Sequence, residues 1–471
     1  MATFKLSSMN WRITFALLSV AVAIGAKLSL TTGPLLPGID GAYYWVQVRS
    51  LLEGSKLAFD DLPLVFWIQA LFSLIVGDIE LGVRISDAVL PALSAIPIYL
   101  MLKKSKQFWL PAAAILIVLV HPVQLYFFTG DFIKNAAAIP VAFFIGWILY
   151  SWEQRATQWS LLALSVGFLI AGLTHFGTLL LCFLLVSIWV VFYLRKRPLR
   201  FWLRTLALSI SIISIALIAL AVLVPARFER LVEFVTQPST IFDAPFWELM
   251  FLMRTDVAVV FSMFLGQVGA LALGYLLWRN RAILDNPRLS LASSGLVTSF
   301  VLSSPLIGIE WASRLIALSF APLFLAAIVL WPSTERKAMR VVISGLALST
   351  LAISLVLAPS GAKAAALTDD EYKDLVIAAQ EFLFPTNSIV VARHGLEYLV
   401  AWEMKTHVIQ EETYSEEDLN SYDSEFLLST DGPGVLSEPK GDKAPSGGKS
   451  KGAAVGDVVY SNGKVSITKL R

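Results

Sequence analysis

Cysteine is nearly absent from the 471 residues: there is one, Cys182, and it lies inside an apolar run. Neither a disulfide framework nor a cysteine metal cluster can be built from it. Charge is scarce as well, at 15% of residues against 56% hydrophobic, where an ordinary soluble domain carries roughly 25% charged residues. No soluble core could absorb that balance. The net charge of +2 is too small to suggest a nucleic-acid partner, and the basic residues stand in short clusters between apolar runs, as membrane topology requires. His121, His394 and His407 have no metal-ligand spacing, which argues against a zinc site. Chemistry on this chain must come from Asp, Glu, His, Lys or Arg, with lipid as the implied partner.

What the chain has in abundance is apolar runs. A run of about 20 residues spans a bilayer as a helix, because lipid offers the backbone no hydrogen-bond partners. About eleven such runs are predicted, near 11–30, 84–102, 108–128, 135–152, 159–173, 176–194, 202–225, 256–278, 289–307, 314–331 and 339–358. The first, from Trp11 to Leu30, is too long for a signal-peptide core and is expected to stay as an uncleaved span. Basic clusters at Lys103–Lys106, Arg155, Arg195–Arg204, Arg279–Arg288 and Arg336–Arg340 occupy alternate loops, which places those loops and the N-terminus in the cytoplasm. The long connections 31–83 and 226–255 then face outward, and so does the tail from about 360. The expected architecture is an all-α polytopic cell-membrane protein over 1–359, followed by a small extracytoplasmic α/β domain over 360–471.

That tail is polar, with an amphipathic stretch at Asp369–Phe384, a strand at Ser388–Ala392 and a low-complexity segment at 431–454 expected to be flexible. Val458–Tyr460 and Val465–Thr468 flank Ser461-Asn462-Gly463-Lys464 and read as a hairpin on an Asn-Gly turn. In the first outer loop, about 31–83, Tyr44, Trp45, Val48, Leu51 and Leu52 recur at helical spacing opposite Gln47, Arg49, Ser50 and Glu53, and Gly54 stops the helix. Too short and polar to span, it is expected to lie on the membrane with its aromatic face in the headgroups. Leu64–Val76 is about 13 residues, again too short to cross.

Asp40 stands at the N-terminus of the first of these interfacial helices. There it can serve as an N-cap, or as a general base for an acceptor hydroxyl or amine; both roles fit the position. Asp131, between two spans, is either a boundary cap or a second outer acid, with Lys134 one turn on. Together Asp40 and Asp131 would allow a divalent cation, or a base with its orienting partner. Glu310 and Arg314, four apart, are either a helical ion pair or a place where the guanidinium meets a lipid phosphate. His175 sits in a tight outer turn and is a candidate lining residue.

Asp40-Gly41-Ala42-Tyr43-Tyr44-Trp45, followed by Arg49-Ser50-Leu51-Leu52-Glu53-Gly54, Leu62-Pro63-Leu64 and Arg84-Ile85-Ser86, resembles the GT-C superfamily of integral-membrane glycosyltransferases. That superfamily includes protein O-mannosyltransferases, the aminoarabinose transferase of lipid A and the catalytic subunits of oligosaccharyltransferase. The resemblance covers residues 10–200 or so. It implies a polyprenyl-phosphate-linked sugar donor, an acceptor of unspecified class, an outward-facing site and an inverting transfer with Asp40 as base or metal ligand. Asp131 looks like the family's second-loop acid, and Arg314, with Lys134, like its phosphate-binding group. Tyr43, Tyr44, Asp61, His175 and Glu310 are expected to line the site. A divalent cation, Mg or Mn, would be held by Asp40, Asp131 and Glu310. Asp40-Gly41 replaces the Asp-Glu pair of O-mannosyltransferases, and the Trp-Trp-Asp signature of oligosaccharyltransferases is missing from the tail. Two other classes compete: a transporter or flippase, which needs charges near the bilayer midplane, few of which are found, and a non-enzymatic scaffold.

Overall fold

The computed structural model describes residues 8–36, 38, 40–54, 56–130, 132–154, 157–195, 241–250, 257–280, 286–333, 337–357, 365–411, 421–430 and 456–470, with short stretches between 214 and 237. Helix α1 is Ser8–Ser29, followed by α2, Gly41–Gly54, and α3, Leu64–Val76. Next come α4, Ile79–Ala92, and α5, Ala95–Leu102, two parts of one apolar helix that contains Pro91 and Pro97. Similarly α6, Leu110–Leu119, and α7, Pro122–Thr129, are divided at His121-Pro122. The helices α8, Ile133–Tyr150, α9, Thr157–Thr174, and α10, Phe176–Leu194, complete the first half. The second half contains α11, Val257–Asn280; α12, Asn286–Leu302; α13, Ile309–Leu315; α14, Phe320–Leu330; and α15, Lys337–Leu357.

Among the described residues seven helices are long and apolar enough to cross a membrane, and the chain is a multi-pass membrane protein. They match seven of the eleven expected runs. The run at 159–173 forms the shorter helix α9, and that at 289–307 becomes the 17-residue α12. The run at 314–331 is divided between the end of α13, a 3₁₀ turn at Ala317–Ser319 and α14. Most of 202–225 lies outside the described residues.

Helices α3 and α4 form a hairpin. Gly77, at φ 79, closes α3 by donating its N–H to the Ser73 carbonyl at 2.8 Å, a left-handed cap that glycine adopts without strain. Asp78 then caps α4, accepting from the Leu81 N–H at 2.7 Å. Among the described residues two ionisable side chains are buried within the spanning helices, Lys27 on α1 and Asp87 on α4, and Gln69 of α3 donates to the Asp87 carboxylate at 2.8 Å.

The C-terminal residues form a five-stranded sheet of order β2-β1-β3-β5-β4, with β1 at Ser388–Ala392, β2 at His407–Gln410, β3 at Ser424–Ser429, β4 at Asp457–Asn462 and β5 at Val465–Lys469. Strands β2, β1 and β3 are parallel, and β5 returns antiparallel to β3 and to β4. The expected hairpin is present with its strands extended to Asn462, so that Gly463, at φ 46, occupies the turn. The low-complexity segment 431–454 is outside the described residues. Helices α16, Asp369–Glu381, and α17, Leu396–Met404, accompany the sheet. Thr368 and Glu371 form a reciprocal capping box at the start of α16.

One expectation is overturned here. Helix α2 does not present its aromatic face to headgroups: Tyr44, Trp45 and Val48 are fully buried within the protein. Trp45 meets Trp402 of α17 at 5.6 Å between ring centroids, while Tyr44 meets Phe66 of α3 at 5.7 Å. The polar residue Arg49 does not face water either. Its two guanidinium nitrogens donate to the carbonyls of Ala401 and Trp402, each at 2.7 Å. Helix α3 and the C-terminal domain cover much of α2 and leave its end from Leu52 exposed, a covering that no local periodicity encodes.

Candidate active site

Asp40 immediately precedes α2, and its carbonyl accepts the Tyr43 N–H at 3.0 Å. Helical spacing puts Tyr43 and Gln47 on one side of α2. Gln47 donates from Nε2 to the Tyr43 hydroxyl and to the Phe59 carbonyl, both at 2.9 Å, and accepts the Phe59 N–H at 3.1 Å. Those bonds pin the descending loop against α2 and carry Asp61 beneath Tyr43. Asp61 is 3% exposed, and a buried carboxylate requires compensation. It receives the Leu62 N–H on Oδ1 at 2.7 Å, with the Tyr43 hydroxyl and the Lys134 ammonium on Oδ2. Lys134 comes from the first turn of α8 and lies 5.8 Å from the ring centres of both Tyr43 and Phe66.

From the other side, His175 caps α10, its Nδ1 accepting the Thr178 N–H at 3.3 Å. Burial, reinforced by the positive charges of Lys134 and Arg314, pushes this imidazole down to about 3, so it stays neutral. Arg314, in the last turn of α13, extends over Trp311 at 5.7 Å.

These groups line one cavity of about 1160 Å³. Asp40, Tyr43, Tyr44, Asp61, Lys134, His175 and Arg314, all expected at the site, share its wall. Phe168 of α9 and Leu179, Leu180 and Phe183 of α10 continue the wall into the helices as an apolar stretch. A polar end carrying Lys134 and Arg314 beside Asp40, Asp60 and Asp61 thus merges with an apolar one, a shape that suits an amphipath with a polar head. Lys134, expected one turn on from Asp131, is held by Asp61, which the loop pinned by Gln47 brings to it. Asp131 lies outside the described residues, and so does the side chain of Glu310. Among the described residues no three His, Cys, Asp or Glu side chains cluster to hold a metal ion.

Residues that sequence reasoning did not reach come from the C-terminal domain: His394, Tyr398 and Gln410 complete the cavity wall. His394 Nε2 lies 3.7 Å from Asp40 Oδ1, and its Nδ1 lies 3.1 Å from Glu397 Oε1. Burial pushes the Glu397 carboxyl up to about 7, against the pull of its bond to His394. Burial, with Glu397, Asp40 and Asp61 nearby, also raises the Tyr398 phenol, which remains a hydroxyl donor. The sequence signal was Arg393-His394-Gly395-Leu396-Glu397, a His and a Glu three apart at a helix start. Nothing local to that run names Asp40, more than three hundred residues earlier, as the group it meets.

No family model matches the chain, and no curated protein matches it in sequence. Solved structures do match. The archaeal oligosaccharyltransferase AglB from Archaeoglobus fulgidus, in complex with an inhibitory peptide and a dolichol-phosphate, superposes with a TM-score of 0.58 at 11% identity over 89% of this chain and 69% of that one. ArnT from Cupriavidus metallidurans in the apo state gives 0.58 at 12% identity over 98% of both chains. The same protein bound to undecaprenyl phosphate gives 0.55 at 13% identity over 97% of this chain and 98% of that one. This chain shares its fold with these structures.

Proposed function

We propose that this chain is a glycosyltransferase that moves a sugar from a polyprenyl-phosphate carrier to an acceptor at the extracytoplasmic face of the membrane. The observation that carries the reading is the single cavity in which Asp40, Lys134 and Arg314 share a wall with the apolar side chains of α9 and α10. Support comes from the neighbours of like fold, one in complex with a dolichol-phosphate and one bound to undecaprenyl phosphate. In this reading the membrane domain runs to about residue 359, the domain from 360 lies outside, and the basic loops keep the N-terminus in the cytoplasm.

The polyprenyl chain lies along Phe168, Leu179 and Phe183, and its phosphate meets Arg314 and Lys134. Guanidinium and ammonium groups make charge-assisted bonds to phosphate oxygens and stabilise the charge that grows as the phosphate leaves. Neutral His175 adds no competing cation. Asp40 takes the proton of the acceptor, whose oxygen or nitrogen attacks the anomeric carbon while the bond to the phosphate oxygen breaks. One in-line displacement inverts that carbon. Asp61 is not the base, because Lys134, Tyr43 and the Leu62 N–H already engage both its oxygens. A Mg or Mn ion would be held by Asp40, Asp131 and Glu310 and would help neutralise the leaving phosphate; of these only Asp40 has a described side chain.

The test is transfer of labelled sugar from a panel of polyprenyl-phosphate sugars in membranes holding wild type or Asp40→Asn, with and without chelator. Transfer by wild type and its loss in Asp40→Asn is the expected result, and the chelator arm decides the cation. Equal signals from the two proteins would refute the assignment and favour a transporter.

A further inference from the structure

The C-terminal domain places one imidazole between two carboxylates. His394 and Glu397 come to the same side because Gly395 between them takes φ 88, a left-handed turn that lets α17 start immediately after the loop. Glu397 is 3% exposed, and Oε2 has no hydrogen-bond partner among the described residues. A carboxyl group in such surroundings is a poor choice for stability alone, and its Oε1 meets His394 Nδ1 at 3.1 Å. The far nitrogen of that imidazole is aimed out of the C-terminal domain at Asp40, 3.7 Å away, and both of those side chains are 40% exposed to the cavity.

We infer that His394, held by Glu397, is a positioning residue that fixes the Asp40 carboxylate for the transfer reaction, so that docking of the C-terminal domain completes the active site. The inference rests on the glycosyltransferase reading above. The role requires an Nε2–H on His394 facing Asp40, with Glu397 engaging Nδ1 from the other side. A closure of under about 1 Å brings 3.7 Å to hydrogen-bonding distance. That bond engages one Asp40 oxygen and sets the carboxylate plane toward the acceptor. His394 itself touches neither the breaking bond nor the forming one.

Misplacement of a catalytic group by about 1 Å costs up to about 100-fold in rate, which sets the scale for the experiment. Purified full-length protein is assayed at saturating acceptor with varied polyprenyl-phosphate sugar. In His394→Ala, kcat is expected to fall about 10- to 100-fold with the donor KM within about twofold of wild type. His394→Gln retains an N–H for Asp40 and is expected to recover at least about a third of the lost rate on a logarithmic scale. Glu397→Leu is expected to lose kcat as His394→Ala does, and the double variant to lose no more than His394→Ala alone, since Glu397 acts through His394. Thermal melting of each variant accompanies the kinetics. Wild-type kcat in His394→Ala overturns the inference, and so do losses in the two single variants that simply multiply. A rise in donor KM that matches the fall in kcat overturns it as well. Should His394→Ala melt early, His394→Gln decides, and an Ala-like rate in a stably folded Gln variant overturns the positioning role. If Asp40→Asn loses transfer while His394→Ala keeps it, the glycosyltransferase reading stands without this one. Absence of transfer in wild type removes both.

Discussion

Replacing Arg49 by Met removes the clamp between α2 and the C-terminal domain together with the guanidinium that lies over the Trp402 ring, 5.0 Å from its centroid. The clamp consists of two charge-assisted bonds to the carbonyls of Ala401 and Trp402. Those carbonyls lie in the last turn of α17, where no intrahelical N–H is available and where a cation is favoured by the helix dipole. Each hydrogen bond to a charged group contributes about 1.5–3 kcal/mol. Arg49 is only half buried, so solvent screening reduces the pair to about 2–3 kcal/mol in all. At about 1.4 kcal/mol per factor of ten, the docked-to-undocked ratio should fall about 30- to 150-fold. The assay is amide hydrogen exchange across 396–404 in protein held in nanodiscs. The variant should lose protection there by that factor while β1, buried in the centre of its sheet, stays protected. Unchanged exchange across α17 would show that Arg49 does not hold the domain, and the docking argument would fall with it.

Three further outcomes follow from the packing. In Gly82→Ala the new Cβ would meet the Ser73 backbone where α4 crosses α3, and overpacking of that kind costs about 1–3 kcal/mol; an unchanged thermal midpoint in detergent would show the hairpin to be looser than described. Asp61→Asn leaves the Lys134 ammonium without its counter-ion in a largely enclosed site, and should destabilise the protein by about 1–3 kcal/mol, less than for a fully buried pair because Lys134 is 21% exposed. Urea or thermal titration of that variant at neutral pH reads it directly, and wild-type stability would refute the pairing. Glu397 titrates near 7 in the folded protein against an ordinary 4.5, so the folded state holds a proton that the unfolded state has released. The stabilisation from this group is complete below about pH 4.5 and is lost as pH rises through about 7, by at most about 3 kcal/mol. Melting of wild type from pH 5 to 8 should show the decline and Glu397→Gln should flatten it; parallel curves would place the carboxyl in water.

The membrane architecture was legible because its cause is local. A 20-residue apolar run has one way to satisfy its backbone in lipid, and seven of the expected runs are helices of spanning length. The Asn-Gly hairpin and the strand Ser388–Ala392 were equally local. The division of the 314–331 run was not, because Phe320 and Ile316 look as apolar in a broken helix as in a continuous one, and burial of both against neighbouring helices decides. Helix α2 illustrates the limit most clearly. Its amphipathic pattern was read as a membrane surface, when the same alternation serves to bury Trp45 on one side and to offer Arg49 to a distant helix on the other.

The site divides along the same line. Asp40, Asp61, Lys134, His175 and Arg314 were visible because they are polar residues of loops and helix ends on an otherwise apolar chain, and all five line one cavity. Their chemistry was not visible, since it depends on which acid meets which base. Asp40 and Asp61 share a wall, yet one is committed to Lys134 and Tyr43 while the other faces His394. That difference follows from Gln47 fixing the loop at Phe59, which brings Asp61 rather than Asp40 down onto the lysine. A carboxylate already bonded on both oxygens gains little by taking a proton from an acceptor, because it must give up a bond to do so. The assignment of the base to Asp40 therefore rests on the hydrogen bonds of Asp61 as much as on its own position, and a glutamine in the second turn of α2 holds the loop that carries Asp61.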